Sequence, residues 1–137
     1  HMREMIQGLR ALHSGIATFK RSVTSNSDAR QIDPSEIKPP RAHPIVRTPK
    51  GTNQKAIYVN PHFTIGVENI EAEESDWILN HLYKIATLPE NIYRHQWRTG
   101  DVLVWDNRRT MHYAVRDYTE DMPRKMHRCT ASGEVPI

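Results

Sequence analysis

The residues whose types and spacing could do chemistry lie between Asp101 and Arg128. An apolar run at residues 102–105 reads as a short buried strand that Asp106-Asn107 ends in a turn. His112 would ride on a second short strand, and Arg124 and Arg128, four residues apart, on a third. Residues two or four apart on a strand share a face, so both guanidinium groups can point into one cavity. A neutral imidazole facing two guanidinium groups suits a metal ion that carries an anionic ligand. Pattern alone favours a plainer arrangement, a sheet with a buried histidine and two solvated arginines.

The elements that would position these residues come earlier in the chain. Residues 3–13 place Met5, Ile6, Leu9 and Leu12 at helical spacing and predict a short amphipathic helix, weakened by Gly8 by roughly 1 kcal/mol relative to alanine. From Ser14 to Ala42 the apolar pattern fades into a polar stretch punctuated by Pro34, Pro39 and Pro40. A loop of that length is either a mobile active-site lid or a plain disordered excursion, and the residues favour neither. Residues 43–48 and 55–60 read as two strands joined by a hairpin loop containing Gly51 and Asn53. Residues 72–88 make the clearest helix: Glu73, Glu74 and Asp76 suit its N-terminal dipole, Trp77, Ile78, Leu82 and Ile85 form its apolar face, and Pro89 stops it. His81 falls among its exposed positions. Residues 92–98 alternate enough to be a strand, on which Arg94, His95 and Arg98 would form a small solvated basic group.

Bulk properties set bounds on the whole. The chain has 137 residues, about one domain with one modest core. Apolar content of 37% and a mean hydropathy of −0.70 are low for a self-sufficient globule, so either a large loop is solvated or the chain is part of something bigger. A net charge of +3 and a pI near 9.2 fit an anion-handling site without requiring nucleic acid. The single cysteine, Cys129, excludes an internal disulfide framework and favours a reducing, cytoplasmic setting. No apolar run reaches membrane length, and no signal-peptide pattern is present. His1-Met2 reads as a cloning remnant ahead of residues 3–137.

Four clusters, taken in order, carry a resemblance. Trp105-Asp106-Asn107-Arg108, His112-Tyr113, Asp117-Tyr118 and Arg124…Met126-His127-Arg128 together resemble the C-terminal signature of the taurine dioxygenase family, which includes the 2,4-dichlorophenoxyacetate and alkylsulfate dioxygenases. The segment His43-Pro-Ile-Val-Arg-Thr48, Ala56-Ile-Tyr-Val-Asn60 and Phe63-Thr64 is similar to the family too. The resemblance implies a mainly β fold with helices, the C-terminal portion of a double-stranded β-helix (jelly-roll) dioxygenase. It implies iron(II) as metal and 2-oxoglutarate as cosubstrate, with dioxygen and a small anionic organic substrate such as a sulfonate, sulfate ester or aryloxyalkanoate. By the same match His112 would be the second metal histidine, Arg124 the residue binding the far carboxylate of 2-oxoglutarate, and Arg128 the residue holding the substrate's anionic group. Phe63 would line the substrate pocket, although its residue type alone favours a core aromatic. Trp105 and Asn107 match supporting positions. Family members are often dimers or tetramers, so the parent protein would be a homo-oligomer.

The chemistry asks for those residue types. Iron(II) that activates dioxygen needs two histidines and one carboxylate on one face, leaving three open positions. A 2-oxo acid fills two of them, and its far carboxylate needs a fixed cation, which arginine's planar fork supplies through two hydrogen bonds. One departure stands against the match. The family's first histidine and carboxylate come from an H-x-D or H-x-E motif, and none of the eight histidines here has an acid two residues on. The chain is therefore expected to hold the cosubstrate clamp and one metal ligand, to be inactive alone, and to need an upstream half or a second polypeptide. The competing reading is a non-enzymatic basic β-domain whose arginines contact an acidic partner or nucleic acid.

Overall fold

The computed structural model describes residues 2–16, 38–115, 117–119, 121–122, 125–133 and 135–136. The central element is a strand where helix spacing had predicted otherwise. Helix α1 is confined to Met2–Met5; Gly8 then adopts φ +87° and turns the chain into strand β1, Arg10–His13. The expected helix over residues 3–13 is thus corrected. Pairing on both edges satisfies the backbone groups of residues 10–13, which outweighs a weak local helix preference. Ile6 still reaches the core at 3% exposure, and Ala11 inside β1 is fully buried.

Strand β1 lies between β2 (Arg41–Pro44) and β5 (Thr64–Val67), antiparallel to both. The register sets Ala11 opposite His43 and His13 opposite Arg41 on one side, and Ala11 opposite Val67 on the other. Between Leu12 and His13 the β1–β5 pairing slips, the kind of irregularity that re-aims a side chain. The strand expected at residues 43–48 is divided, because Ile45 bends out of the ladder. Its N–H donates to the Leu9 carbonyl at 3.0 Å and its carbonyl accepts from Tyr58 N–H at 2.6 Å, with the side chain wholly buried. After the bend, β3 (Val46–Arg47) pairs with β4 (Ala56–Ile57), joining Val46 to Ile57 and Arg47 to Ala56. The expected hairpin is present. Gly51 and Asn53 take positive φ there, the left-handed backbone that glycine and asparagine tolerate best.

Helix α2, Ala72–Ala86, closes the core over β5. Its acidic start and its stop before Pro89 follow the expected pattern, and Asn91 Nδ2 caps the C-terminal end by donating to the Ile85 carbonyl at 2.9 Å. The buried face is Ser75, Ile78, Leu79 and Leu82, at the i, i+3, i+4, i+7 spacing of a single stripe. Trp77 falls off that stripe and is 59% exposed, stacked on His81 at 5.8 Å, so its expected place in the apolar face is corrected. Ser75 joins helix to sheet, because its buried Oγ accepts the Val67 N–H at 2.8 Å. Ser75→Ala should leave that N–H without an acceptor and cost roughly 1–2 kcal/mol, the desolvation loss partly offset by alanine's helix preference. Urea unfolding followed by far-UV circular dichroism checks this, and an unchanged midpoint would deny the hydrogen bond any weight.

Beyond a short 3₁₀ turn at Pro89–Asn91 the described residues run extended and largely exposed. No strand pairing is formed by the described residues between 92 and 136, so the strands expected at residues 92–98, at 102–105, around His112 and around Arg128 are absent as ladder elements. Val102 and Val104 stand 88% and 87% exposed on one side of the run. Alternation specifies a strand's two faces, but a ladder also needs a neighbour for its backbone groups. None of the described strands lies alongside this segment.

Candidate functional site

Of the residues with chemical promise, His112 has the most defined surroundings, and a tight turn makes them. Asp106 organises it. Its Oδ1 accepts from Arg108 N at 2.9 Å, and its carboxylate receives the Arg108 guanidinium at 2.9 Å from Nε and 2.9 Å from NH2. Its carbonyl accepts from Arg109 N, Thr110 N and Thr110 Oγ1, at 3.0, 3.1 and 2.8 Å. The chain is thereby folded back so that the Trp105 indole lies beside the His112 imidazole, ring centres 5.0 Å apart. Asn107 fixes the indole, its Oδ1 accepting from Trp105 Nε1 at 2.8 Å. Asp-Asn turn chemistry was legible in the residues; what the structure adds is that the turn orients an aromatic wall against the histidine.

The hydrogen bonds from Arg108, chiefly those of its side chain, hold the Asp106 carboxyl at about 2, below its ordinary 3.8. For a carboxyl so depressed, the clamp is fully present above the ordinary value and is lost as pH falls through the lowered one. Carbon-detected NMR of the Asp106 carboxyl should therefore give a midpoint near 2. An ordinary midpoint would mean that the turn is open in solution.

Of the other expected site residues, Phe63 and Arg128 make no contact with His112. Phe63 sits in the turn before β5, 44% exposed, its N–H donating to the Asn60 carbonyl at 3.1 Å and its carbonyl accepting from Ser14 N at 2.8 Å. Arg128 is exposed, and Arg124 lies outside the described residues. Among the described residues no hydrogen bond, ion pair or ring contact joins His112 to Phe63 or Arg128. Nor do three His, Cys, Asp or Glu side chains converge as a metal site would require. In the basic group expected at Arg94, His95 and Arg98, both arginines are exposed, and only the His95 side chain meets Asp101, whose Oδ2 lies 3.1 Å from His95 Nε2 and accepts the Arg98 backbone N–H at 2.8 Å.

A second cluster escaped sequence reasoning. His13 and His43 meet edge to face at 5.3 Å, the Tyr58 ring stacks on His13 at 5.5 Å, and the Arg47 guanidinium carbon lies 4.8 Å over Tyr58. His13 Nε2 is buried without a hydrogen-bond partner among the described residues, and Arg47 is only 3% exposed. Burial, then the neighbouring His43, lowers the His13 pKa to about 4. Burial lowers that of His43 too, followed by Arg10, Arg41 and Arg47. No local spacing joins these residues, since thirty positions separate the histidines. The one available signal was a histidine at each end of the long polar stretch.

Comparison with known proteins places the chain in a family. The sequence pattern described as the taurine catabolism dioxygenase TauD, TfdA family matches residues 1–130. The alpha-ketoglutarate-dependent sulfate ester dioxygenase of Pseudomonas putida is 32% identical over 146 residues, covering 99% of this chain and 46% of that protein. The alkylsulfatase of Acinetobacter baylyi is 41% identical over 93 residues, covering 68% of this chain and 29% of that protein. The chain thus spans less than half the length of the curated relatives it matches. A provisionally named alpha-ketoglutarate dependent 2,4-D dioxygenase from Burkholderia xenovorans superposes with a TM-score of 0.57 at 28% identity, over 72% of this chain and 36% of that one. The crystal structure of AAD-2 with Mn(II) and N-oxalylglycine superposes at 0.55 and 24% identity, over 70% of this chain and 36% of that one, and speaks to the fold alone. The fold is that of the jelly-roll dioxygenases, represented here by paired β-strands and few helices.

Proposed function

The chain belongs to the taurine catabolism dioxygenase TauD, TfdA family, and on that premise we propose that it is the C-terminal part of an iron(II)- and 2-oxoglutarate-dependent dioxygenase. Its substrate would be a small anionic organic molecule, a sulfonate, sulfate ester or aryloxyalkanoate, the classes named for its relatives. Family membership favours this reading over a basic β-domain that merely binds an acidic partner. The observation that supports it best is the turn at Asp106, which presents His112 on an ordered aromatic wall formed by Trp105.

His112 is the metal histidine in this proposal, Arg124 the partner of the far carboxylate of 2-oxoglutarate, Arg128 the partner of the substrate's anion, and Phe63 a wall of the substrate pocket. Trp105 and Asn107 position the imidazole, as outer partners of metal ligands commonly do. The described residues do not by themselves fit a resident iron. His112 is one ligand where such a site takes three, and no H-x-D or H-x-E occurs in the sequence. The missing histidine and carboxylate are assigned to a preceding half of the same jelly roll or to a second polypeptide, with residues 3–137 forming the remainder of one catalytic domain. Within that domain the arginines act electrostatically: each holds one carboxylate, sulfonate or sulfate in place by paired charge-assisted hydrogen bonds.

No helix among the described residues is long and apolar enough to cross a membrane. A cytoplasmic, dimeric or tetrameric parent completes the proposal. The test is to join this chain to a segment carrying the H-x-D or H-x-E motif and to follow succinate formed from 2-oxoglutarate against a panel of alkyl sulfonates, sulfate esters and aryloxyalkanoates. Substrate-stimulated succinate is expected with at least one class. A complete, folded protein that turns over 2-oxoglutarate with none of them would remove the substrate assignment.

A further inference from the structure

His13 ends β1 and His43 lies in β2, so the two rings stand on the β1–β2 ladder. The register places His13 opposite Arg41 and Ala11 opposite His43, which puts both imidazoles and Arg41 on one face. Every neighbouring element contributes to the charge around them. Arg10 comes from β1, donating from NH2 to the Ala42 carbonyl at 2.8 Å, and Arg47 comes from β3. Tyr58 follows β4 and stacks on His13, its ring already faced by Arg47. Thr64 of β5 is the register partner of His13 on the other side and accepts or donates a side-chain hydrogen bond with Tyr83 of α2, whose own acidic neighbour is Asp76. Glu68 pairs with Arg10 of β1, 3.3 Å from its Nε. Neither imidazole has a carboxylate partner among the described residues.

We propose that His13 and His43 form a proton-sensitive joint, which keeps the β1–β2 ladder closed while both rings are neutral and loosens it when either takes up a proton. A proton on His43 would place a cation among Arg10, Arg41 and Arg47, and one on His13 would place a cation beside His43 in a partly buried setting where charge is poorly screened. The Tyr58 ring that would attract such a cation already carries the Arg47 guanidinium, 4.8 Å from its centre. The lowered pKa values agree in sign. An opened ladder returns each imidazole toward its ordinary 6.5 and so binds protons more readily than the closed one. The closed state is fully stable above that value, and its stability falls as pH drops from 6.5 toward about 4. The inference is independent of the dioxygenase proposal, since it needs neither metal nor substrate.

Amide hydrogen exchange on the whole chain, corrected for the intrinsic pH dependence of exchange, tests it. Protection of residues 10–13 and 41–43 should fall on the order of 10- to 30-fold between pH 7.5 and pH 5, as expected for one proton taken up on opening. Amides of α2 should stay within about twofold over the same range. His13→Phe with His43→Phe keeps the ring contacts without the titration and should make the ladder's protection flat with pH. Should that double variant not fold, the imidazole proton shifts of the unaltered chain decide. A His13 midpoint below about 5 supports the joint, and one near the ordinary 6.5 overturns it. Equal loss of protection in α2, or the same pH dependence in the double variant, would also overturn it.

Discussion

Replacing Arg124 and Arg128 by alanine, one at a time, in a protein that also supplies the H-x-D or H-x-E motif should separate two anionic ligands. Arg124→Ala is expected to weaken 2-oxoglutarate by roughly 2–4 kcal/mol, about 30- to 1000-fold, because a desolvated carboxylate loses its charge-assisted partner. The apparent affinity for the prime substrate should change little once cosubstrate is saturating. Arg128→Ala should do the reverse, raising the substrate's apparent constant while 2-oxoglutarate still binds. Its turnover of 2-oxoglutarate uncoupled from substrate is expected to persist. Lysine at either position should rescue only in part, since an ammonium cannot reproduce a two-pronged contact. Isothermal titration with 2-oxoglutarate, paired with steady-state kinetics, reads both effects. Equal loss of 2-oxoglutarate in the two alanine variants would make the arginines one electrostatic patch and not two clamps.

The second large effect is expected at His112. Removing an outer partner of a metal ligand typically costs 10–100-fold in metal affinity or activity. Removing one of three ligands should cost more, so His112→Ala should lower iron affinity by more than about 100-fold. Asn107→Ala provides the graded control. It removes the acceptor that fixes the Trp105 indole, 2.8 Å away, and leaves the imidazole itself intact. A loss of about tenfold is expected there, read as metal content after dialysis against a weak chelator. Were His112→Ala no worse than Asn107→Ala, the histidine would be a structural neighbour of the tryptophan and not a ligand.

What the sequence reveals and conceals follows from how local each signal is. The hairpin around Gly51 and Asn53 and the helix ending before Pro89 were legible because a few adjacent residues specify them. The turn at Asp106 was legible for the same reason, though its hold on the Trp105 ring was not. The misread segment, residues 3–13, has apolar residues at a spacing that a short turn plus a central strand satisfies equally well. Only the pairing of β1 with two partners, both more than 25 residues away, decides between them. The His13–His43 contact is concealed by the same non-locality. Trp77 misled because an apolar residue beside the buried stripe looks, in one dimension, like part of it. The alternating stretch from residue 92 onward is strand-like in sequence, yet among the described residues no neighbouring strand completes its ladder.

We propose that this chain carries one metal ligand and the cosubstrate clamp of a site completed elsewhere. The most direct test is anaerobic addition of iron(II) and 2-oxoglutarate with visible absorption as the readout, since a chelated 2-oxo acid on ferrous iron gives a charge-transfer band. On this proposal no band is expected from this chain alone, and a band is expected once the H-x-D or H-x-E segment is joined to it, lost again in His112→Ala and in Arg124→Ala at subsaturating 2-oxoglutarate. A strong band from the chain alone, or one in the completed protein that is indifferent to His112→Ala, would contradict it.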